Sequence, residues 1–409
     1  MIDVENIRKD FPMLRTPRTM QGKPLVFLDN SSTTMKPDSV IAAMNRYYTE
    51  ETCNSHRGDY DLSVIVDREV EKTRECVARF LNASPNEVIF TSGATDGLNL
   101  VAYGYGLKFL KPGDEILLSL EEHASNVLPW FRIAKLTGAK VVYTDVDEDA
   151  RITLENVKKA LSPRTKIVSL AHVGNVLGYT APVKEIAKAA HEVGAVMCVD
   201  GAQSVPHMIT DVKDLDCDFL AFSGHKLCAP TGTGILYGKY ELLEKMDPFH
   251  CGGGMNVKFY PNGEADFLPP PGRFEAGTMN IAGIYGLHAA IEYLLGVGME
   301  NIHAYEKELK AYAVEQLSSV PGITIYNAKS EGGIVSFNID GVFAQDMGTL
   351  LNYRGIACRS GLHCAKMMPL VLHTDATVRA SFYFYTTKKD IDALVDALKQ
   401  GGDFLDAYF

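Results

Sequence analysis

The stretch Asp218-Phe219-Leu220-Ala221-Phe222-Ser223-Gly224-His225-Lys226 places a lysine directly after an apolar, strand-like run. Small and polar residues surround this lysine, and a loop rich in threonine and glycine follows at 230–234, so a helix is disfavoured here. A second apolar run, residues 194–199, ends at Asp200 and continues as Gly201-Ala202-Gln203. Both segments read as strand followed by polar loop, the repeating unit of an α/β fold.

The same alternation of strand-like and helix-like runs extends from about residue 87 onward. The predicted strands are 88–91, 115–119, 140–144, 166–171, 195–199, 219–222 and 234–237. The predicted helices between them are 97–110, 125–136, 154–160 and 183–193. Several strands are continuously apolar, as expected for strands covered on both faces. The pattern predicts a large domain with a mostly parallel sheet wrapped by helices.

The alternation of predicted strands and helices is lost toward the C-terminus. Two long helices are predicted at 278–295 and 299–317, followed by strands at 323–326, 334–338 and 378–381 and a last helix at 388–399. This change predicts a smaller α+β C-terminal domain. We expect residues 1–25 to be an N-terminal segment that packs on the small domain, 26–290 to be the large domain, and 291–409 to be the small one.

Composition describes an ordinary globular protein. The 409 residues carry a formal net charge of −11, which disfavours a nucleic-acid partner. The N-terminus lacks the basic and apolar regions of a signal peptide, and no apolar stretch is long enough to cross a bilayer, so we predict no membrane association. The eight cysteines form no CxxC pair, which is typical of reduced thiols in a cytoplasmic protein and predicts no metal centre.

The combination of Lys226 and Asp200 suits one cofactor. Pyridoxal phosphate is held by a lysine as a Schiff base, while an aspartate keeps its ring nitrogen protonated so that the ring accepts electrons. Either residue alone would more often be a surface lysine or a strand-end aspartate. Together with the motifs below, they favour a cofactor site that takes pyridoxal 5'-phosphate.

Other polar residues follow the predicted strands. Thr95 lies in a small-residue loop that opens a helix, which suits either an anion or a simple N-cap. His123 is a candidate to stack on a cofactor ring and move protons, although a strand-end histidine is more often structural. Asn175 and Gln203 occupy equivalent positions, where open α/β sheets bind ligands. Ser223 and His225, beside the lysine, are candidate phosphate ligands.

The second strong signal is Cys358-Arg359-Ser360-Gly361-Leu362-His363-Cys364. A cysteine in a glycine-containing loop beside Arg359 and His363 is a candidate reactive thiol, because nearby cations favour the thiolate. The alternative, a buried apolar cysteine, fits the polar surroundings less well. Arg379 lies inside a strand-like run, where a substrate carboxylate would satisfy it. Thr278 is interpreted first as a helix N-cap and second as an anion ligand.

These residues resemble a known family. Over essentially its whole length the chain is similar to group II cysteine desulfurases (SufS-like or selenocysteine lyase-like), which are class V aminotransferases of pyridoxal phosphate fold type I. The matching motifs are Asn54-Ser55-His56-Arg57-Gly58, Ser92-Gly93-Ala94-Thr95, Glu122-His123, Asp200-Gly201-Ala202-Gln203, Ser223-Gly224-His225-Lys226, Gly252-Gly253-Gly254, Arg273-Phe274-Glu275-Ala276-Gly277-Thr278 and Arg359-Ser360-Gly361-Leu362-His363-Cys364-Ala365.

The resemblance implies a role for each candidate. Cys364 would be the nucleophile that takes sulfur as a persulfide, and Lys226 the Schiff-base lysine and proton shuttle. The remaining roles are implied as follows: Asp200 at the ring nitrogen, His123 stacked on the ring, Gln203 at the phenolate oxygen, Thr95, Ser223 and His225 at the phosphate with Thr278 of a second subunit, and Asn175, Arg379 and Arg359 at the substrate carboxylate.

The implied activity is conversion of L-cysteine to L-alanine, with sulfur passed to an acceptor or scaffold protein, as in iron–sulfur cluster assembly. Such enzymes are homodimers. Three alternatives stay open from the sequence: a selenocysteine lyase that uses the same residues, another class V lyase or aminotransferase that needs no loop cysteine, and a non-catalytic sulfur-relay subunit.

Overall fold

The structure is a computed structural model that describes residues 2–55 and 58–400. His56 and Arg57 of the first predicted motif, and the last nine residues of the predicted small domain, lie outside the described residues. The helices of the described part are, in chain order, Val4–Ile7 (α1), Pro12–Arg15 (α2), Asp38–Glu50 (α3), Asp61–Leu81 (α4), Ala94–Val101 (α5), Leu107–Phe109 (α6), Leu128–Thr137 (α7), Leu154–Ala160 (α8), Val183–Glu192 (α9), Val212–Leu215 (α10), Tyr240–Leu243 (α11), Ile281–Val297 (α12), Met299–Leu317 (α13), Ala344–Tyr353 (α14), Met368–Leu372 (α15) and Lys388–Gln400 (α16).

The strands range from two to seven residues. They are, in chain order, Thr19–Met20 (β1), Lys23–Pro24 (β2), Val26–Phe27 (β3), Val88–Thr91 (β4), Glu115–Ser119 (β5), Lys140–Thr144 (β6), Thr165–Ala171 (β7), Val196–Asp200 (β8), Phe219–Ser223 (β9), Gly234–Gly238 (β10), Asn256–Phe259 (β11), Ala265–Phe267 (β12), Ile323–Ile325 (β13), Ile334–Ile339 (β14), Ile356–Ala357 (β15), Arg359–Gly361 (β16) and Thr377–Ser381 (β17).

The central sheet confirms the predicted α/β architecture. Its order is β4-β10-β9-β8-β7-β5-β6, and only β10 runs antiparallel to its neighbours. Alternate residues of β9 enter two different apolar clusters: Leu220 and Phe222 face one, Phe219 and Ala221 the other. Burial on both faces explains why this strand is continuously apolar in sequence.

Helices cover both faces of this sheet. On one face α12 packs against α3 and α4, and on the other α5 and α7 contribute to the second cluster. Helices α3 and α4 were not predicted, although buried Val66, Val70 and Val77 follow the helical spacing in α4. The predicted start of α12 at Thr278 was wrong, because Asn280 is the N-cap and accepts a hydrogen bond from the backbone N–H of Gly283.

The C-terminal part is α+β, as predicted. Its antiparallel sheet has the order β13-β14-β17-β16, and α13, α14 and α16 share an apolar cluster with it. Arg8 of the N-terminal segment donates a hydrogen bond to the Tyr385 carbonyl at 2.7 Å and pairs with Asp390 at 3.3 Å. The domain division at 290/291 stays a prediction, and it falls inside α12.

Among the described residues, no single helix is both long and apolar enough to cross a membrane. The adjacent helices α12 and α13 meet that test only as a pair, with a bend of 72° between them.

Candidate active site

A cavity of 160 Å³ lies where several strands of the central sheet end. Strand β8 ends at Asp200 and β9 at Ser223, so the parallel direction of these strands brings their polar ends to one edge. The cavity is lined by every predicted site residue except Thr278 and the predicted nucleophile Cys364; these lining residues are Thr95, His123, Asn175, Asp200, Gln203, Ser223, His225, Lys226, Arg359 and Arg379.

Lys226 presents a buried amine to this cavity. It lies in a short 3-10 turn, Gly224–Lys226, directly after β9. Burial lowers the pKa of Lys226 to about 8, with Arg379 and Arg359 acting in the same direction and Asp200 opposing them. Within the described part of the chain, its amine has no hydrogen-bond or ion-pair partner. A buried, unpartnered amine of this pKa is suited to covalent chemistry with a carbonyl.

The anion end of the cavity lies at the start of α5. The backbone N–H of Ala94 donates to the Ser223 hydroxyl at 2.8 Å, and the Thr95 hydroxyl is 2.7 Å from that of Ser125. A Cβ atom on Gly234 would lie 2.4 Å from the Cα atom of Gly93, so the close approach of these two segments requires glycine. Hydroxyls and backbone N–H groups at a helix start form a suitable cradle for a phosphate.

His123 is fixed in one orientation beside Lys226. Its Nδ1 atom accepts a hydrogen bond from the backbone N–H of Ser125 at 3.2 Å, which leaves the ring proton on Nε2. Burial lowers the pKa of His123, and the Lys226 ammonium lowers it further. A neutral imidazole in a known tautomer is therefore available at the cavity wall.

The remaining groups at the closed end fit pyridoxal phosphate. Asp200 is 5% exposed and accepts a hydrogen bond from the backbone N–H of Ala202 at 2.9 Å through Oδ1, which holds its carboxylate in place. The Gln203 side chain donates to the Ser31 carbonyl at 2.8 Å, while its buried Oε1 atom has no partner in the part of the chain that the structure describes. A fixed carboxylate, an unpaired amine and an unsatisfied amide around one cavity match a ligand with a basic ring and an aldehyde.

Arg379 is 1% exposed and already has an anionic partner. Its Nη2 atom lies 3.1 Å from the Asp29 carboxylate and 2.9 Å from the Ser32 hydroxyl, and Nη1 donates to the Asn175 carbonyl at 2.7 Å. The chain itself therefore satisfies part of this guanidinium, and the contact with a substrate carboxylate stays a prediction. The Nε–H of Arg379 has no partner among the described residues and is available to a ligand.

Cys364 lies beside the cavity, in the loop between β16 and α15. The Arg359 guanidinium donates to its Sγ atom at 3.3 Å and to the Ser32 hydroxyl at 3.1 Å. Both His363 and Cys364 adopt positive φ angles, 51° and 61°. The Ala124 N–H donates to the Cys364 carbonyl at 2.8 Å, and Asn175 to the His363 carbonyl at 2.8 Å. These contacts hold the thiol next to a permanent cation.

The expectation that His363 adds positive charge beside Cys364 was wrong. Its Nε2 atom is hydrogen-bonded to Thr377, and burial, together with Arg379 and Arg359, lowers the pKa of His363 to about 3. The imidazole is therefore neutral near pH 7. Arg359 is the cation in direct contact with the thiol.

Thr278 is exposed and does not line the cavity of its own chain. Conversely, Asp29, Ser32 and Ser125 contact the predicted site residues and were missed by the sequence analysis. Asp29 and Ser32 come after β3, and the signal for them in the sequence was a polar run that follows four apolar residues, 25–28.

Known proteins resemble this chain along its length. The family model of the class-V aminotransferases matches residues 26–394. A probable cysteine desulfurase of Halalkalibacterium halodurans is 46% identical over 409 residues, 100% of both chains. A cysteine desulfurase of Haloferax volcanii is 43% identical over 411 residues, 97% of this chain and 96% of the relative. The crystal structure of the cysteine desulfurase CsdA from Escherichia coli superposes with a TM-score of 0.90 at 36% identity, over 99% of each chain.

The fold, the cavity at the strand ends and this full-length similarity agree with one another. The chain therefore belongs to the class-V aminotransferase family, and within it to the cysteine desulfurases.

Proposed function

We propose that this chain uses pyridoxal phosphate to convert L-cysteine to L-alanine and keeps the sulfur as a persulfide on Cys364. The observation that carries the proposal is the contact between Arg359 and Cys364. Arg359 lines the cavity and donates to Cys364 Sγ at 3.3 Å, so the thiol lies at the mouth of the site that holds Lys226. Other class V activities have no need for a cysteine at this position.

The cofactor would be held by residues already in place. Lys226 would bond to it covalently, Asp200 would contact its ring nitrogen, and Thr95, Ser223 and His225 would contact its phosphate. Burial lowers the pKa of His225 to about 4, so its imidazole would act as a neutral hydrogen-bond donor. When bound, pyridoxal phosphate supplies an electron sink for the α-carbon of the amino acid.

Lys226 and His123 are the groups that would move protons. Once the substrate amine has replaced it, the Lys226 amine is free and, with a pKa of about 8, exchanges protons readily near neutral pH. It would take the proton from the substrate α-carbon. His123, whose proton is on Nε2, would stack on the ring and donate a hydrogen bond toward the reacting groups.

The substrate carboxylate would be oriented by two arginines. The Nε–H of Arg379 has no partner, and Arg359 adjoins it through the shared Ser32 hydroxyl. Asn175 would stabilise this arrangement, because its backbone carbonyl accepts a hydrogen bond from Arg379. Such an orientation directs the substrate sulfur toward Cys364.

The sulfur step is a displacement at the substrate sulfur. The Cys364 thiolate forms an S–S bond to that sulfur, and the substrate Cβ–S bond breaks with its electron pair left on Cβ. Protonation of Cβ gives the methyl group of alanine. Arg359 would stabilise the attacking thiolate through its charged N–H group. The persulfide sulfur is then passed to an acceptor thiol.

The finer features are proposed on the same basis. We propose a cytoplasmic homodimer that delivers sulfur to an acceptor or scaffold protein, with iron–sulfur assembly as its destination. Thr278 is exposed and does not line the cavity of its own chain, which is consistent with a contribution to the phosphate site of a second subunit. A division into residues 1–25, 26–290 and 291–409 is proposed as well, with the antiparallel β13-β14-β17-β16 sheet in the last part.

The test measures products from L-cysteine with a reductant present. Cofactor-loaded wild type should release alanine and sulfide in equal amounts, and Cys364→Ala should release neither while retaining the cofactor absorbance. Cys251→Ala is the matched control, because Cys251 is exposed but does not line the cavity, and it should match wild type. Alanine production by Cys364→Ala at the wild-type rate would contradict the assignment of the nucleophile.

Lys226→Ala tests the other half of the site. This variant should lose the visible absorbance of the covalently bound cofactor together with all activity. Retention of that absorbance would assign the covalent role to another amine.

A further inference from the structure

A second group of reactive side chains lies outside the cavity, between α4 and α12. Cys76 belongs to α4, whereas His288 and Glu292 lie four residues apart on one face of α12. Their ligand atoms all lie within 4.8 Å of one another. The proposed desulfurase reaction makes no use of these three residues.

The distances within this cluster match a small metal ion. Cys76 Sγ is 3.3 Å from Glu292 Oε1, and His288 Nε2 is 3.9 Å from the same oxygen. In a tetrahedral zinc site with bonds of 2.0–2.3 Å, neighbouring ligand atoms are about 3.5 Å apart. Both of these spacings are within about half an ångström of that value. The ligand atoms of Cys76 and His288 lie within 4.8 Å of each other, so metal binding would draw these two side chains closer together.

We propose that Cys76, His288 and Glu292 form a binding site for one zinc-class divalent cation, with solvent as the fourth ligand. One thiolate, one imidazole and one carboxylate are a donor set that zinc accepts, and three protein ligands leave one position open. Cys76 is 1% exposed, whereas the side chains of His288 and Glu292 are 28% and 50% exposed, so the ion reaches the site from the surface.

Without a bound ion, the Glu292 carboxylate is paired with Cys76 and Arg79. The Cys76 thiol donates to Glu292, and Arg79 pairs with the same oxygen at 2.5 Å and lies 3.7 Å from the thiol sulfur. Binding forms an S–metal bond, releases the thiol proton to solvent and displaces the guanidinium. The Arg79 side chain is 63% exposed and is free to turn toward water, but it competes with the metal.

A bound ion would cross-link α4 to α12 on the outside of the large sheet. The two helices are more than 200 residues apart in sequence, and the ligand set exists only when they pack together. The metal would therefore bind the folded chain selectively and raise its resistance to unfolding.

The test uses Co²⁺ as a spectroscopic probe on cofactor-loaded, chelator-treated protein in a Cys251→Ser, Cys364→Ser background, which removes two other accessible thiols. Wild-type residues at the cluster should bind one Co²⁺ per chain and give a thiolate-to-cobalt charge-transfer band. Cys76→Ser should lose that band, and Glu292→Gln should bind at least tenfold more weakly. Arg79→Ala should bind more tightly, because it removes the competitor.

Cys53→Ser provides the matched control, since this half-buried cysteine does not belong to the cluster. It should retain both the band and the affinity. If Cys76→Ser fails to fold, His288→Gln at the partly exposed position supplies a second test, because it keeps the thiolate but should bind Co²⁺ at least tenfold more weakly. Absence of the band without any cluster substitution, a band unchanged by Cys76→Ser, or an affinity unchanged by His288→Gln would overturn the proposal. Because the readout is spectroscopic in a background without Cys364, its failure is separate from failure of the desulfurase assignment.

Discussion

Replacing Lys226 by methionine should make the cofactor-free protein more stable. In the native chain this amine is buried without a partner, and its pKa falls from the usual 10.5 to about 8. A difference of about 2.5 pH units corresponds to about 3 kcal/mol at 1.36 kcal/mol per unit. Lys226→Met removes this cost while keeping a side chain of similar length, so the free energy of unfolding at pH 7 should rise by about 3 kcal/mol.

The stability difference between Lys226→Met and wild type should depend on pH. Below pH 8 the lysine is protonated in both the folded and the unfolded chain, and the full cost of burying the charge is present. Between pH 8 and 10.5 the unfolded chain binds more protons than the folded one, so the stability of wild type rises with pH. The advantage of Lys226→Met should therefore shrink to about 0.4 kcal/mol at pH 10.5.

The assay is urea unfolding of the cofactor-free proteins at pH 7 and 10.5, followed by circular dichroism. Lys310→Met provides a contrast. Burial lowers the pKa of Lys310 from 10.5 to about 7, which by the same arithmetic is a cost of about 4 kcal/mol at pH 7. Its amine also donates to the carbonyls of Asn327 and Ile334, and removing these two hydrogen bonds costs about 1 kcal/mol each. We expect the gain in stability of Lys310→Met to fall about 2 kcal/mol short of the figure that its pKa alone gives. An unchanged or lower stability of Lys226→Met at pH 7, or a gain that does not depend on pH, would refute the reasoning.

Three further predictions concern the cavity and its surroundings. Arg379→Ala should raise the KM for L-cysteine at least tenfold, about 1.4 kcal/mol, because it removes the Nε–H group, which has no partner among the described residues and is open to a carboxylate. Steady-state kinetics measures this change, and an unchanged KM would contradict the role. Thr278→Ala should weaken cofactor retention if a second subunit supplies this hydroxyl, and mixed dimers with Lys226→Ala would show whether the effect acts across subunits. Gly224→Ala should lower stability by about 1–3 kcal/mol and weaken cofactor binding, since its Cβ would lie 2.3 Å from Thr233 Oγ1; calorimetry and visible absorbance report the two effects.

The sequence predicted the large sheet well because its strands are buried on both faces. A continuous apolar run, such as the one that makes up most of the strand Phe219–Ser223, leaves little ambiguity about where a strand lies. Helices α3 and α4 precede the region where strands and helices alternate, and their amphipathic spacing is a weaker signal than a solid apolar run. The start of α12 was misplaced because both Thr278 and Asn280 are good N-cap types, and only the contact with the Gly283 N–H distinguishes them.

The site was predictable where chemistry coincides with strand ends. Asp200 and Ser223 are the last residues of buried strands, and Lys226 comes three residues after Ser223, so their convergence is a property of the parallel sheet. Asp29 and Ser32 were not predictable in this way. Both accept hydrogen bonds from Arg379, which lies about 350 positions away in the chain. The residues around Asp29 and Ser32 in the sequence give no indication of this contact.

The loop that carries Cys364 is held by hydrogen bonds at two consecutive residues, His363 and Cys364. Its main chain is hydrogen-bonded to Ala124 and Asn175, and the His363 ring is bound to Thr377. In the proposed reaction Cys364 carries the sulfur, and because the main chain of its loop is held, that sulfur moves only by rotation about the bonds of one short side chain. We therefore expect a sulfur acceptor to bring its own thiol to Cys364, which requires a protruding, mobile cysteine on the acceptor.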